Sequence, residues 1–213
     1  MDRENIALII VDMQNDFMPD GRLGVREADQ IIDRINSMAV RFHDLDNTIV
    51  MTQDWHPQGH LSFASSHNRK PFDLFEAEGI GPVLWPDHCV QGSEGAEFHP
   101  DVKEELAKAI VRKGYRTRID SYSTFVENDK RTLTGLSGYL KALGRRRIFL
   151  CGLALDYCVY YSAKDGRDLE FEVVVPIDLT KPIDSPPGHL SRALEEMGVK
   201  GVQFTSSDSI LVQ

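Results

Sequence analysis

Ile6 to Val11 is an unbroken run of apolar side chains ending in Asp12, and it restricts the fold more than any other stretch. A strand with one face in water alternates apolar and polar residues, whereas one that is apolar throughout suits burial on both faces of a parallel sheet. Parallel neighbours need crossovers, so helical patterns should separate the remaining strands. From Val25, the residues Ala28, Ile31, Ile32, Ile35, Met38, Ala39 and Phe42 recur at helical spacing. Thr48 to Thr52 predicts the second strand and runs into Gln53-Asp54-Trp55-His56. Asp101 to Ala109 reads as a short helix, Ile110 to Gly114 as a third strand carrying Lys113 at its end, and Leu133 to Leu143 as a helix stopped by Gly144. Arg147 to Cys151 is a fourth strand, followed by helical spacing through Leu169 and a strand at Phe171 to Val175. Ser185-Pro186 then opens a helix carrying Leu190, Ala193, Leu194 and Met197, and Val202 to Thr205 is the last strand. The alternation predicts an α/β fold: a doubly wound six-stranded parallel sheet with helices on both faces and right-handed crossovers.

With 213 residues, 41% of them hydrophobic, the chain can bury a full core as one domain, 1–213. Residues from about 57 to 100 break the pattern. They are rich in Pro, Gly and His without a period, yet Phe63, Phe72, Phe75, Trp85 and Phe98 argue against disorder, so the stretch reads as a long site-forming loop. A net charge of −9 works against nucleic acid and anionic membranes as partners, since both are held through Lys and Arg, and points to a small-molecule substrate. Three cysteines, Cys89, Cys151 and Cys158, are too few and odd in number for a disulfide framework. With no signal-peptide layout and no apolar run of membrane-spanning length, a cytoplasmic protein is expected. Whether it is a homo-oligomer is left open.

Open parallel sheets bind ligands beyond the carboxyl ends of their strands. The predicted order delivers Asp12, Asp54, Lys113 and Cys158 there. Taken singly, Cys158 reads as a small buried hydrophobe, Asp12 as a turn cap and Lys113 as a surface charge. Together they form a chemical set: a thiol nucleophile, a carboxylate to take its proton, and an ammonium to stabilise the thiolate. Cys158 falls in the first turn of a helix, where the unpaired N–H groups should lower its pKa toward neutrality. Asp54 and His56, two apart at a strand end, point the same way as metal ligands require, and His60 and His88 are candidate additions, His60 being equally readable as a solvated loop residue. Carboxylate and imidazole ligands suit zinc, iron or manganese. A zinc site built on Cys89 lacks further thiolates, and no P-loop or Gly-rich turn follows the first strand.

The stretches Val11-Asp12-Met13-Gln14-Asn15-Asp16-Phe17, Gln53-Asp54-Trp55-His56-Pro57, Trp85-Pro86-Asp87-His88-Cys89-Val90, Arg112-Lys113-Gly114 and Gly152-Leu153-Ala154-Leu155-Asp156-Tyr157-Cys158-Val159 together resemble the nicotinamidase/pyrazinamidase branch of the isochorismatase-like cysteine hydrolases. The resemblance spans nearly the whole chain; Leu155 and the Lys181-Pro182 region depart from the usual sequence. It implies a catalytic triad of Asp12, Lys113 and Cys158 and one divalent metal, zinc first and iron or manganese next, on Asp54, His56 and His88, with His60 an optional fourth ligand. It further implies a cis peptide at Leu153-Ala154, an oxyanion hole from the N–H groups of Ala154 and Cys158, and a ring pocket lined by Phe17, Leu23, Trp85 and Tyr122. The implied reaction is hydrolysis of nicotinamide to nicotinate and ammonia through a cysteine thioester, feeding NAD salvage, with the metal holding the pyridine nitrogen. A sister amidohydrolase acting on carbamoyl or ureido substrates and a non-catalytic metal- or ligand-binding protein are the alternatives; ammonia release from nicotinamide separates them.

Overall fold

The computed structural model describes residues 5–211. Strands β1 (Ile6–Val11), β2 (Thr48–Asp54), β3 (Ala109–Lys113), β4 (Arg147–Leu153), β5 (Glu172–Pro176) and β7 (Gln203–Thr205) form a parallel path in the order β3-β2-β1-β4-β5-β7. A two-residue strand β6 (Thr180–Lys181) pairs with the end of β4. The apolar run that opens the chain is thus the innermost part of the sheet, with Ala7 beside both Thr48 and Ile148. After β1 the chain moves outward to β2 and β3, then returns to the other side of β1 for β4, so the strand order reverses between β1 and β4. Right-handed crossovers on either side of such a reversal fall on opposite faces.

Helix α1 (Ile32–Asp44) buries Ile32, Ile35, Met38, Ala39 and Phe42, and Phe42 meets Phe149 of β4 edge-on at 5.4 Å. The predicted onset at Val25 comes too early. Ala28–Ile31 is a 3₁₀ turn entered through Glu27, whose φ of +60° breaks helical continuity. The helix expected over 101–109 is also absent: Glu104–Leu106 is one 3₁₀ turn, and the Lys108 N–H already bonds to Ile49 O to start β3 along the edge of β2. Of the residues Asp101–Lys108 only Val102 is buried, so little apolar contact favoured a helix over edge pairing. Helices α2 (Leu136–Ala142), α3 (Tyr160–Asp168), α4 (His189–Val199) and α5 (Asp208–Leu211) complete the fold. None of the described helices is long and apolar enough to cross a membrane.

At the reversal point β1 and β4 lie so close that Gly152 is required. Its φ is +102°, and a Cβ there would stand 2.1 Å from Val11 O. The strand ends carrying Asp12 and Cys158 therefore approach at backbone contact, with Val11 in register with Gly152.

Candidate active site

Beyond the carboxyl ends of β1 to β4 lies a small cavity whose wall includes Asp54, His56, His88 and Cys158. Cys158 reaches it from a single π-helical turn, Leu155–Val159, that joins β4 to α3. The peptide Leu153–Ala154 before that turn is cis.

Lys113 ends β3 and is wholly buried. Its ammonium pairs with Asp12 Oδ2 at 2.8 Å and with Asp54 Oδ1, donates to Ser121 O at 2.9 Å, and stands 3.4 Å from Cys158 Sγ. Asp12 leaves β1 with φ +50° and receives the Thr52 hydroxyl on Oδ1 at 2.6 Å. Burial opposes the charge on Lys113, but the two carboxylates outweigh it and hold the lysine well above its usual range. Burial raises Asp12, with Lys113 pulling against it and Asp54 adding to it. Cys158 departs from the sequence expectation: burial pushes its thiol well up, and the relief from Lys113 does not cancel that and the neighbouring carboxylates. Burial thus works against the thiolate, beside a carboxylate whose basicity burial raises.

Beside them, Asp54 Oδ2 faces His56 Nε2 at 3.6 Å and His88 Nε2 at 3.7 Å. His56 Nδ1 lies 2.9 Å from Gly114 O and His88 Nδ1 2.8 Å from Pro86 O. A carbonyl only accepts, so both Nδ1 atoms carry a proton and both Nε2 atoms are turned toward Asp54. Burial opposes ionisation of Asp54, yet the Lys113 ammonium holds it well below the usual carboxylate range. An ionised carboxylate with two lone pairs, each imidazole fixed from behind, is the donor set a divalent metal needs.

His60 stands outside this trio. Its Nε2 faces the carbonyls of Arg116 (2.8 Å) and Ile119 (3.3 Å), and its Nδ1 takes the Ser62 N–H (3.1 Å). Both nitrogens are spent on protein, leaving no lone pair for an ion in this arrangement, and burial lowers its pKa to about 4. Its ring packs 4.5 Å from the His56 ring, and with His56 and Asp120 it forms a second group of ligand atoms within 4.8 Å of one another.

Phe17, Leu23, Trp85, Tyr122 and Ala154 all line the cavity. Trp85 donates to the Tyr122 hydroxyl at 3.0 Å, and Phe17 meets His88 edge-on. Trp85 and His88 both come from the long loop, which is laced by bridges such as Phe63 to Trp85 and His56 to Val90. Sequence reasoning missed Asp120, Tyr157 and Ile183, which also face the cavity. Asp120 is buried, with Oδ1 on the Ser121 N–H and Oδ2 without a hydrogen-bond partner among the described residues. It lies in a polar stretch, Asp120-Ser121-Tyr122-Ser123-Thr124, that carries no periodic signal.

Gly114 is another position missed in its role. A Cβ there would lie 2.5 Å from His56 Cε1 and 2.8 Å from Nδ1, at a backbone φ of +65°. Gly114→Ala is expected to displace the His56 ring and weaken divalent-metal binding by roughly 10–100-fold. Calorimetric titration of the metal-stripped variant checks this; unchanged affinity would show that His56 is not a ligand.

An isochorismatase domain matches residues 6–209. The nicotinamidase of Acinetobacter baylyi is 48% identical over 98% of this chain and 95% of that one. Among solved structures, a nicotinamidase/pyrazinamidase from Acinetobacter baumanii superposes with a TM-score of 0.93 at 43% identity, covering 99% of this chain and all (100%) of that one. The pyrazinamidase of Pyrococcus horikoshii, solved in complex with zinc, gives 0.77 at 37% identity, over 95% of this chain and 99% of that one. The chain belongs to the isochorismatase-domain family.

Proposed function

We propose that this protein is a nicotinamidase, hydrolysing nicotinamide to nicotinate and ammonia through a thioester on Cys158 and so feeding NAD salvage. The observation that carries the reading is one small cavity faced by the Cys158 thiol and by Asp54, His56 and His88, with the Lys113 ammonium and the Asp12 carboxylate buried behind it in contact with the thiol and Asp54. The similarity to named nicotinamidases supports it.

Asp12, of raised basicity, takes the proton of Cys158 as the carboxamide arrives, and Lys113 steadies both anions in turn. The sulfur attacks the carboxamide carbon. The resulting oxyanion is held by the N–H groups of Ala154 and Cys158, each worth about 3 kcal/mol of barrier. Asp12 returns the proton to the departing ammonia. It then takes one from the water that opens the thioester, and gives it to the sulfur as nicotinate leaves. Asp54, His56 and His88 hold one divalent metal, zinc first by its fit to N and O donors and its presence in the Pyrococcus relative, and when bound it supplies a Lewis acid for the ring nitrogen. Phe17, Leu23, Trp85 and Tyr122 clasp the ring. All three cysteines are free, which suits a reducing, cytoplasmic setting.

Ammonia release from nicotinamide and benzamide, measured beside the metal content of the same sample, tests the reading. Benzamide, without the ring nitrogen, is expected to be a far poorer substrate. His56→Ala or His88→Ala should erase most of that discrimination together with most of the activity. Equal cleavage of the two amides by metal-loaded protein would overturn the assignment.

A further inference from the structure

Between β6 and α4 the chain runs through residues 181–188 as a strap that buries little of itself: each of these residues is half-buried or exposed. It contributes one side chain to the cavity wall, Ile183. Ile183 packs against the core, and the rest of the strap is held by polar anchors. Asp156, wholly buried, accepts the Ile183 N–H on one carboxylate oxygen (2.9 Å) and the Asp184 N–H on the other (2.8 Å). The Tyr157 hydroxyl donates to Ser185 O. Lys181 pairs with Glu27 at 2.9 Å, and Asp184 Oδ1 accepts the N–H groups of Gly188 and Leu190, tying the strap to the start of α4. Asp156, Tyr157 and Cys158 are consecutive on one π-helical turn. The turn that presents the nucleophile therefore also grips the strap, and the position of Ile183 is set relative to Cys158 rather than by the rest of the surface.

The geometry points to Ile183 as the residue that limits which ring substituents the cavity accepts, and to Asp156 as the positioning residue that holds Ile183 there. This rests on the nicotinamidase reading. A buried carboxylate is costly unless each oxygen is satisfied, and both Asp156 oxygens are satisfied by strap backbone, so its burial is compensated by holding that wall.

The test compares kcat/KM for 5-methyl- and 6-methylnicotinamide with that for nicotinamide, and repeats the ratios as Kd on a Cys158→Ala background, so that they are read even without turnover. Ile183→Ala opens room for one methyl and is expected to raise the ratio at least about tenfold for at least one of the two, the size of a methyl in an apolar pocket. Ile183→Phe should move it the other way and raise KM for nicotinamide itself. Asp156→Asn keeps the shape but turns an NH₂ toward a backbone N–H; it should shift the same ratio in the sense of Ile183→Ala, and the double variant should exceed Ile183→Ala alone by little. Ratios within twofold of the wild type in both Ile183 variants would overturn the assignment of Ile183. A uniform loss of kcat in Asp156→Asn with unchanged ratios would overturn the positioning role. Absence of nicotinamide turnover in the wild type counts against the activity, while the Kd ratios still decide the strap.

Discussion

Cys158→Ala is expected to lower amide turnover by at least about 10⁴-fold, to the level that binding and backbone donors alone sustain. The side chain is 6% exposed and small, so its removal should cost only about 1 kcal/mol of stability. Metal content should be unchanged, since the proposed ligand group Asp54, His56 and His88 contains no sulfur. Steady-state ammonia release, a thermal melt and metal analysis on one preparation check all three. A pyridine aldehyde or nitrile should form its adduct at Cys158 alone, because Cys89 and Cys151 do not line the cavity, whereas Cys158 does and has the Lys113 ammonium beside its sulfur. Residual turnover above about a hundredth of the wild-type rate, or an adduct mapped to Cys89, would sink the covalent mechanism.

Lys113→Met should be nearly as severe, with a different signature. Methionine fills the volume but leaves Asp12 and Asp54 buried together without their shared cation. Breaking a buried ion pair costs roughly 3–5 kcal/mol, which for a chain of this size is a fall in Tm of about 6–20 °C. The rate is expected to drop at least 10²–10³-fold, the price of one preorganised electrostatic partner. The pH profile carries the sharper information. Lys113 lowers both Asp12 and Cys158 toward ionisation. Without it Asp12 keeps its proton to higher pH, so the acid limb of kcat/KM must move upward. An unmoved acid limb would show that Asp12 is not the base.

The site was legible where backbone geometry alone delivers residues to one place. Asp12, Asp54 and Lys113 each end a run of strand residues, and a parallel sheet sends all such ends to one edge. What stayed hidden depends on contacts between distant segments. The spacing of His60 is as good as that of a ligand; only the carbonyls of Arg116 and Ile119 reveal that its nitrogens are engaged. The direction of the Cys158 shift was misjudged because a helix start is visible in sequence, whereas the burial that outweighs it is set by the surrounding chain. Residues 101–109 looked helical by composition, but the free edge of β2 claimed Lys108 first. The Asp156 grip on the strap joins a side chain to backbone N–H groups 27 and 28 residues away, a link that leaves no periodic trace.

The placement of β1 between β2 and β4 also dictates an order of assembly. Asp12 meets Thr52, 40 residues along, in the first crossover, whereas Ile9 and Cys151, neighbours across β1 and β4, are 142 residues apart. Asp12, Asp54 and Lys113 stand at the ends of β1, β2 and β3, which can pair with one another before β4 has emerged during synthesis. The thiol arrives last, on the strand whose pairing closes the longest loop and is therefore the slowest to form. A nascent chain thus acquires its ion-holding half before its reactive sulfur, and the nucleophile meets its base only once the sheet is nearly complete.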